Sequence, residues 1–281
     1  MIICDQMEVP MQRKAEEIAR LPGSSRVTSR WAAQLATALL AVPMLSLSAG
    51  SASADCKEEP KPGVDWSDCQ KTRLMIGGAD LSGGIFNQTF FTSTDLREAN
   101  LSGAELVRAE FSNANLAGAD LSGANMEKAA ATRADFSGAD LSNANLASAE
   151  FSRSNFTRAN VTGAEFNASE MNRSDFTEAD LTGANMAKAE LARVILIDAV
   201  VSGVSFGYSN LSRANLTGTD LEDADLTGTY MFLTRIDGAD LSRTNGLTAD
   251  QLEIACGSAD TRLPEGLATP ESWPCPDYSA E

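Results

Sequence analysis

Apolar residues recur at every fifth position through most of this chain, and the spacing predicts its fold. From Ile76 to Leu241 the centre of each five-residue unit is nearly always Leu, Phe, Met, Val or Ile. The residue two places before the centre is usually Ala, and the residue just before it is usually Asp, Asn or Glu. A period of five fits neither an α-helix nor a β-strand. The pattern therefore predicts a chain that turns in every unit and buries one large and one small side chain each time.

The unit over 79–83 reads Ala-Asp-Leu-Ser-Gly and recurs unchanged over 119–123. It resembles the A-[DN]-L-x-x repeat of the pentapeptide-repeat family. The resemblance implies an all-β solenoid, a right-handed quadrilateral β-helix with four units per coil. Residues 76–245 would then form about eight and a half coils, stacked about 4.8 Å apart.

Segments of a different composition flank the repeat and are expected to close its two ends. Residues 55–75 are predicted to form an N-terminal cap segment. Residues 246–281 are predicted to form a short capping helix and a tail, with Thr248 as the N-cap residue of the helix. Such caps would protect the backbone groups that an open β-helix leaves unpaired.

The first 54 residues have the pattern of an export signal. A basic lead is followed by an apolar stretch over 31–47 and by small residues that end at Ala54. We expect cleavage after Ala54 and a periplasmic or secreted mature protein. An uncleaved membrane anchor is the alternative, but Gln34 and Pro43 interrupt an apolar stretch that is short for a bilayer. No other contact with a membrane is expected.

Four cysteines flank the repeat, two on each side, and a fifth lies in the leader. Export would bring the four into an oxidising compartment, where disulfides persist. Of the three possible pairings we predict Cys56–Cys69 and Cys256–Cys275. A solenoid holds its two ends far apart, whereas a disulfide requires Cα atoms within about 7 Å of each other.

The composition argues against catalysis and against nucleic acid as a direct partner. The 281 residues include 39 acidic and 22 basic side chains, for a net charge of −17, and no histidine. The chain therefore lacks the commonest general base and the commonest transition-metal ligand. We expect no enzymatic activity, no cofactor and no metal. A column of carboxylates that includes Asp120, Asp140 and Asp180 is expected to shape turns, because calcium sites gather six to eight oxygens at one point.

A second period, of twenty residues, places side chains of the same kind above one another on successive coils. One such column is basic and another is acidic. The basic column is predicted to consist of Arg133, Arg153, Arg173, Arg193 and Arg213, and the acidic column to include Glu150, Glu170 and Glu190. We interpret the two columns as neutralising each other. The alternative is that they bind an elongated charged ligand. A further column of three phenylalanines, Phe136, Phe156 and Phe176, is predicted to stack inside the rod.

Several outward positions near the C-terminal end of the repeat are apolar. They are Ile195, Ile197, Val200, Tyr208, Tyr230, Phe232 and Leu233. One interpretation makes them a partner or dimer surface, with a homodimer through the C-terminal end as one form of it. The interpretation that we favour is that the tail folds back over them, because its own apolar residues Leu263, Leu267, Trp273 and Tyr278 need a packing partner.

These features predict a non-enzymatic periplasmic protein with an interaction or structural role. A rigid acidic rod would present its patterned surface to a protein partner whose identity the sequence does not reveal. The alternative comes from the gyrase-protecting branch of the same family, a DNA-mimicking inhibitor of a topoisomerase. That function would require the chain to remain in the cytoplasm.

Overall fold

The computed structural model describes residues 54–275, and this part of the chain is a coil built from five-residue units. In each unit the carbonyl oxygen of the central residue accepts a hydrogen bond from the amide three residues later, as from Thr94 N to Phe91 O at 3.0 Å. The second residue after the centre has a left-handed conformation, with φ 63° at both Gly123 and Arg153. This is the geometry of a type II turn, which explains why glycine is frequent there.

Successive coils are joined by parallel β-bridges between residues twenty positions apart. The bridges run from Asp65–Ile85 to Asp225–Asn245, each a single pair of residues. Backbone hydrogen bonds accompany them, such as Phe156 N to Asp175 O at 2.7 Å. Four units therefore complete one coil, and each residue lies directly above the residue twenty positions before it. Stacking at this period is the reason why side-chain columns form.

The interior is a continuous column of the central side chains and the small residues two places before them. The central residues from Leu81 to Leu241 are almost completely buried. The rings of Phe136, Phe156 and Phe176 stack with centroids 5.0 and 4.7 Å apart and planes within 3° of parallel. The predicted internal phenylalanine stack is thus confirmed. Where Gly84 replaces the usual Ala, the Phe86 ring occupies the space that a Cβ would need.

The regular turns begin at residue 61, three units before the predicted start at Ile76. Trp66 and Lys71 occupy central positions, and the Lys71 ammonium lies 3.5 Å from the centre of the Trp66 ring. Lys71 also donates a hydrogen bond to Cys56 O at 2.8 Å. These side chains depart from the repeat pattern, which is why the pattern alone placed the whole of 55–75 outside the coil. Burial lowers the pKa of Lys71, and nearby carboxylates partly offset that effect.

After residue 245 the chain leaves the five-residue register and forms one helix, α1 (Ala249–Ile254). Thr248 is its N-cap residue, as the sequence predicts, and it forms a capping box with Gln251. The buried Gln251 amide group also donates to the carbonyl oxygens of Leu226 and Thr229, at 2.8 and 3.0 Å. The segment after α1 continues the stacking through bridges from Arg235 to Cys256 and from Asp240 to Arg262.

The structure contains the two disulfides that the sequence predicts. Cys56 and Cys69 are joined with Cα atoms 5.4 Å apart, and Cys256 and Cys275 are joined at the same distance. Cys69 also fills an inward position two places before a centre, where alanine is usual. Each disulfide thus ties an irregular segment to the coil beside it.

The predicted leader and cleavage site lie outside the described residues, apart from Ala54. Within residues 54–275, no helix has the length and apolar character needed to cross a bilayer.

Candidate interaction surface

The five predicted arginines form a column on the surface of the rod. Their backbones are stacked through hydrogen bonds such as Arg153 N to Asn172 O and Arg173 N to Ala192 O, both 2.9 Å long. All five are exposed and adopt the left-handed turn conformation, with φ from 57° at Arg213 to 63° at Arg153 and Arg173. Since non-glycine residues reach this conformation only at a cost, the column is strained as well as charged.

The acidic column runs beside the arginines, three residues earlier in each coil. Parallel bridges connect Glu150 to Glu170 and Glu170 to Glu190. All three side chains are exposed. We call the surface formed by this column, the arginine column and the residues between them the ladder face. Every coil from 150 to 193 therefore presents a glutamate and an arginine in the same order.

In the part of the chain that the structure describes, the two columns are not joined by direct contacts, so the neutralisation interpreted from the sequence, which acts through space, stays a prediction. Among residues 54–275, no ion pair joins the five arginines to Glu150, Glu170 or Glu190. Glu190 instead accepts a hydrogen bond from Asn210 Nδ2 at 2.8 Å. Each arginine lies in a turn, whereas each glutamate lies in the bridged segment just before it.

Ion pairs do form at other places on the rod. Arg158 Nε lies 2.6 Å from Glu178 Oε2 on the next coil. Near the N-terminal end, Arg97 donates two hydrogen bonds to the Asp95 carboxylate, at 2.9 and 2.6 Å. These bonds are the largest cause that lowers the pKa of Asp95 to about 2. Within the described residues, the arginine column makes no such contact with its neighbouring glutamates.

The ladder face ends in aromatic residues at its C-terminal end. Tyr230 stacks on Asn210 in the acidic column, and Arg213 N donates to Phe232 O at 2.8 Å. The two aromatic rings are nearly parallel, with centroids 6.3 Å apart, and their residues are 52% and 41% exposed. Leu233, half-buried, follows in the arginine column. We call Tyr230, Phe232 and Leu233 the apolar end of the ladder face.

The remaining predicted apolar residues do not join this group into a single patch. Tyr208 is 68% exposed, and its ring lies against Gly228 of the next coil, in a neighbouring column. Ile195 and Ile197 are only half-buried and lie on the adjoining side of the rod, above Asp175 and Thr177. Val200 is exposed and stacks on Asp180.

Within residues 54–275 the tail does not cover Tyr230 and Phe232, which are 52% and 41% exposed, contrary to the interpretation favoured from the sequence. Leu263, Leu267 and Trp273 instead pack against the core at the end of the coil. The Trp273 ring fills the space beside Gly257, and its Nε1 donates to Ala255 O at 2.9 Å. Tyr278 lies outside the described residues.

The N-terminal part of the coil has three exposed apolar residues that the sequence analysis did not predict. Met75, Ile85 and Phe90, near the N-terminal end of the coil, are 77%, 39% and 41% exposed. Each occupies the position just before a centre, where the repeat normally has Asp, Asn or Glu. That departure was visible in the sequence and would have identified them.

The carboxylate column has a structural role in the turns. The Oδ1 atoms of Asp120, Asp140 and Asp180 each accept a hydrogen bond from the amide two residues later, all at 2.9 Å. Aspartate commonly stabilises turns through this contact. Within residues 54–275, no three potential ligand side chains converge on one point as a metal site requires.

The coil, its type II turns and its four-unit period define a solenoid of the β-helix class. Family models for pentapeptide repeats match residues 77–113, 109–146 and 209–245, and a model for a pentapeptide repeat region matches 129–196. The chain belongs to the pentapeptide-repeat family, whose fold is a right-handed quadrilateral β-helix. Members of the family are generally non-enzymatic structural or interaction proteins.

Several solved structures are similar to this chain. HetL, involved in heterocyst differentiation regulation in the cyanobacterium Nostoc sp. strain PCC 7120, is 25% identical over 76% of this chain and 89% of its own, with a TM-score of 0.30. A pentapeptide repeat protein from the thylakoid lumen of Arabidopsis thaliana is 28% identical over 43% and 79%, with a TM-score of 0.31. QnrB1, a plasmid-mediated fluoroquinolone resistance protein, is 19% identical over 70% and 92%, with a TM-score of 0.32. No curated protein matches the chain.

Proposed function

We propose that this protein is an exported, non-enzymatic interaction module that contacts a protein partner through the ladder face and its apolar end. The observation that carries the proposal is the pair of exposed, nearly parallel rings of Tyr230 and Phe232 at the end of two unpaired columns of charge. Aromatic residues and arginine are the side chains that most often dominate protein–protein contacts. A stacked coil holds them in fixed positions, which lowers the entropy lost on binding.

Export is supported by the leader pattern and by the positions of the disulfides. Cys56–Cys69 and Cys256–Cys275 each stabilise an irregular segment beside the coil, which is useful only where disulfides persist. We propose that these segments, 55–60 and 246–275, act as caps. In the segment 246–275, Gln251 donates hydrogen bonds to carbonyl groups of the last coils, with which a further strand would otherwise pair.

Two experiments test this function. Cell fractionation with N-terminal sequencing should recover a mature chain that begins near Asp55 outside the cytoplasm. A photo-crosslinking amino acid at Phe232 should then form a defined adduct in cells that express the chain. The control carries the same group at Thr182, an exposed turn residue on the opposite side of the coil. If the adduct pattern is the same at both positions, or absent at Phe232, the interaction surface is wrong.

The DNA-mimicking alternative is favoured by the net charge of −17 on a rod-shaped molecule. The exposed arginine column counts against it, because that column interrupts a surface that would have to imitate phosphates. A gyrase supercoiling assay with the purified chain separates the two functions. Protection of gyrase, together with an intact cytoplasmic chain, would favour the mimic and contradict our proposal.

A further inference from the structure

The ladder face carries charges of both signs at the repeat distance of its own coil. From Glu150 to Arg193, three successive coils each present one glutamate and one arginine, in the same order. The coils are about 4.8 Å apart, as backbone-paired strands are. Neighbouring guanidinium groups within the column repel one another at this distance, and the same holds for the glutamates. A partner whose charges have the same spacing would bring counter-charges into contact with both columns at once.

A second copy of this chain has that spacing, and symmetry determines how the two copies fit together. If two ladder faces meet around a two-fold axis parallel to the rods, left and right are exchanged while each coil stays level with its counterpart. Each glutamate column then faces the arginine column of the other copy. A two-fold axis perpendicular to the rods would place glutamate against glutamate and arginine against arginine. The charge order therefore selects the parallel arrangement.

The two-fold axis parallel to the rods also brings the apolar ends of the two copies together. Tyr230 belongs to the glutamate column, whereas Phe232 and Leu233 belong to the arginine side. In the parallel arrangement Tyr230 of each copy faces Phe232 and Leu233 of the other, and exposed aromatic surface is removed from water. In an antiparallel arrangement in which the two ladder faces overlap fully, the apolar end of each copy would meet charged coils. The charged and apolar parts of the face thus require the same partner geometry.

We propose that the ladder face pairs with the ladder face of a second copy, parallel and in register, around a two-fold axis that runs along the rods. This inference rests on the proposed function, because it names the partner of the same surface. The pairing supplies each arginine column with the counter-charges that its own chain does not place in contact with it. It also covers the rings of the apolar end.

Cysteine crosslinking tests the geometry, because the residues between the two columns lie nearest the axis. Ser152 and Ser212 occupy this position three coils apart. In the full chain, purified with its native disulfides intact, Ser152→Cys and Ser212→Cys are each expected to form a covalent homodimer on mild oxidation. Thr182→Cys, on the opposite side of the coil, is the control and should remain monomeric. If only one of the two serine positions crosslinks, or neither does, the parallel arrangement is wrong.

Charge reversal tests the energetic basis of the pairing. Replacing Arg153, Arg173 and Arg193 by Glu should raise the dissociation constant, measured by analytical ultracentrifugation, by at least about tenfold, because like charges would then face each other. Glu178 already adopts the left-handed turn conformation at an equivalent position of another column, so the substitutions suit the backbone. An unchanged dissociation constant would overturn the proposal.

A compensating variant controls for the added negative charge. It combines the three Arg→Glu changes with Glu150→Arg, Glu170→Arg and Glu190→Arg, so that the two columns are exchanged and the net charge is unchanged. Arg235 shows that arginine is accommodated just before a centre. This variant should dimerise with nearly the native dissociation constant. If it is as weak as the Arg→Glu variant, the cross-column pairing is wrong.

The outcomes distinguish this inference from the proposed function. A photo-crosslink from Phe232 to a different protein, with a purified chain that sediments as a monomer, would overturn the dimer and leave the interaction module in place. A crosslink from Phe232 to a second copy, together with covalent dimers at Ser152 and Ser212, supports both. No adduct at Phe232 and a monomeric chain would overturn both.

Discussion

Removing the ring of Phe156 should weaken the rod more than any change on its surface. Phe156 is fully buried between Phe136 and Phe176, with nearly parallel rings at 5.0 and 4.7 Å, and its edges meet Phe151 and Phe166. A buried Phe→Ala change costs about 3–5 kcal/mol, and each favourable ring pair accounts for about 0.5–1.5 kcal/mol. We therefore expect Phe156→Ala to lower the free energy of unfolding by about 5 kcal/mol, at the upper end of that range.

The matched control is Phe156→Leu, because leucine is the usual central residue of this coil and fills most of the same space. It should cost about 1–2 kcal/mol. In a rod each coil is stabilised by its neighbours, so the cavity in Phe156→Ala should also uncouple the two halves. Urea unfolding followed by circular dichroism should then show two transitions, or a single transition in which the free energy of unfolding falls less steeply with urea concentration. This account of the interior would be refuted if Phe156→Ala unfolded in a single transition, with a free energy of unfolding within about 1 kcal/mol of that of Phe156→Leu.

Three further predictions concern a turn, the coil end and pH. Gly123→Ala should lower the free energy of unfolding, measured by thermal unfolding, by about 1 kcal/mol. The left-handed φ of 63° alone accounts for this loss, since no atom lies within 4 Å of the added Cβ. Gly84→Ala should cost more because its Cβ would overlap the Phe86 ring, and equal costs would contradict both explanations. Gln251→Leu removes two hydrogen bonds to carbonyl groups of the last coils, so hydrogen exchange there should accelerate while the N-terminal coils stay unchanged. Because Arg97 lowers the pKa of Asp95 to about 2, the contribution of this pair to stability is present above pH 4 and is lost as the pH falls towards 2. An NMR titration should show the Asp95 pKa rising in Arg97→Ala, and an unchanged pKa would exclude the pair as its cause.

Much of the fold could be predicted because every unit repeats the same pattern of large apolar, small and polar residues. The five-residue spacing placed Phe136, Phe156 and Phe176 in one internal stack, and the structure confirms it. The start of the coil was misplaced because Trp66 and Lys71 occupy central positions that the pattern assigns to aliphatic residues or phenylalanine. Their fit depends on partners, the Trp66 ring and Cys56 O, that a repeat pattern does not specify.

The candidate surface could be predicted in its columns but not in its contacts. A twenty-residue period identified the arginines and the glutamates that share the ladder face. Whether Arg173 reaches Glu170 depends on the directions in which a turn residue and a straight-segment residue project, and the two do not meet. The position of the tail likewise depended on a competition between two apolar sites, which Trp273 decided in favour of the end of the coil.

The sequence by itself determined which residues face inward, which share a column and which cysteines pair, because periodicity alone carries that information in a stacked coil. The tertiary structure decided which charges remain unpaired, which rings remain exposed and how the ends are closed. Those outcomes depend on side-chain direction and on competition among neighbours separated by twenty or more residues. They are properties of the assembled coil, because a five-residue pattern specifies neither the direction of a surface side chain nor the neighbours that it meets on other coils.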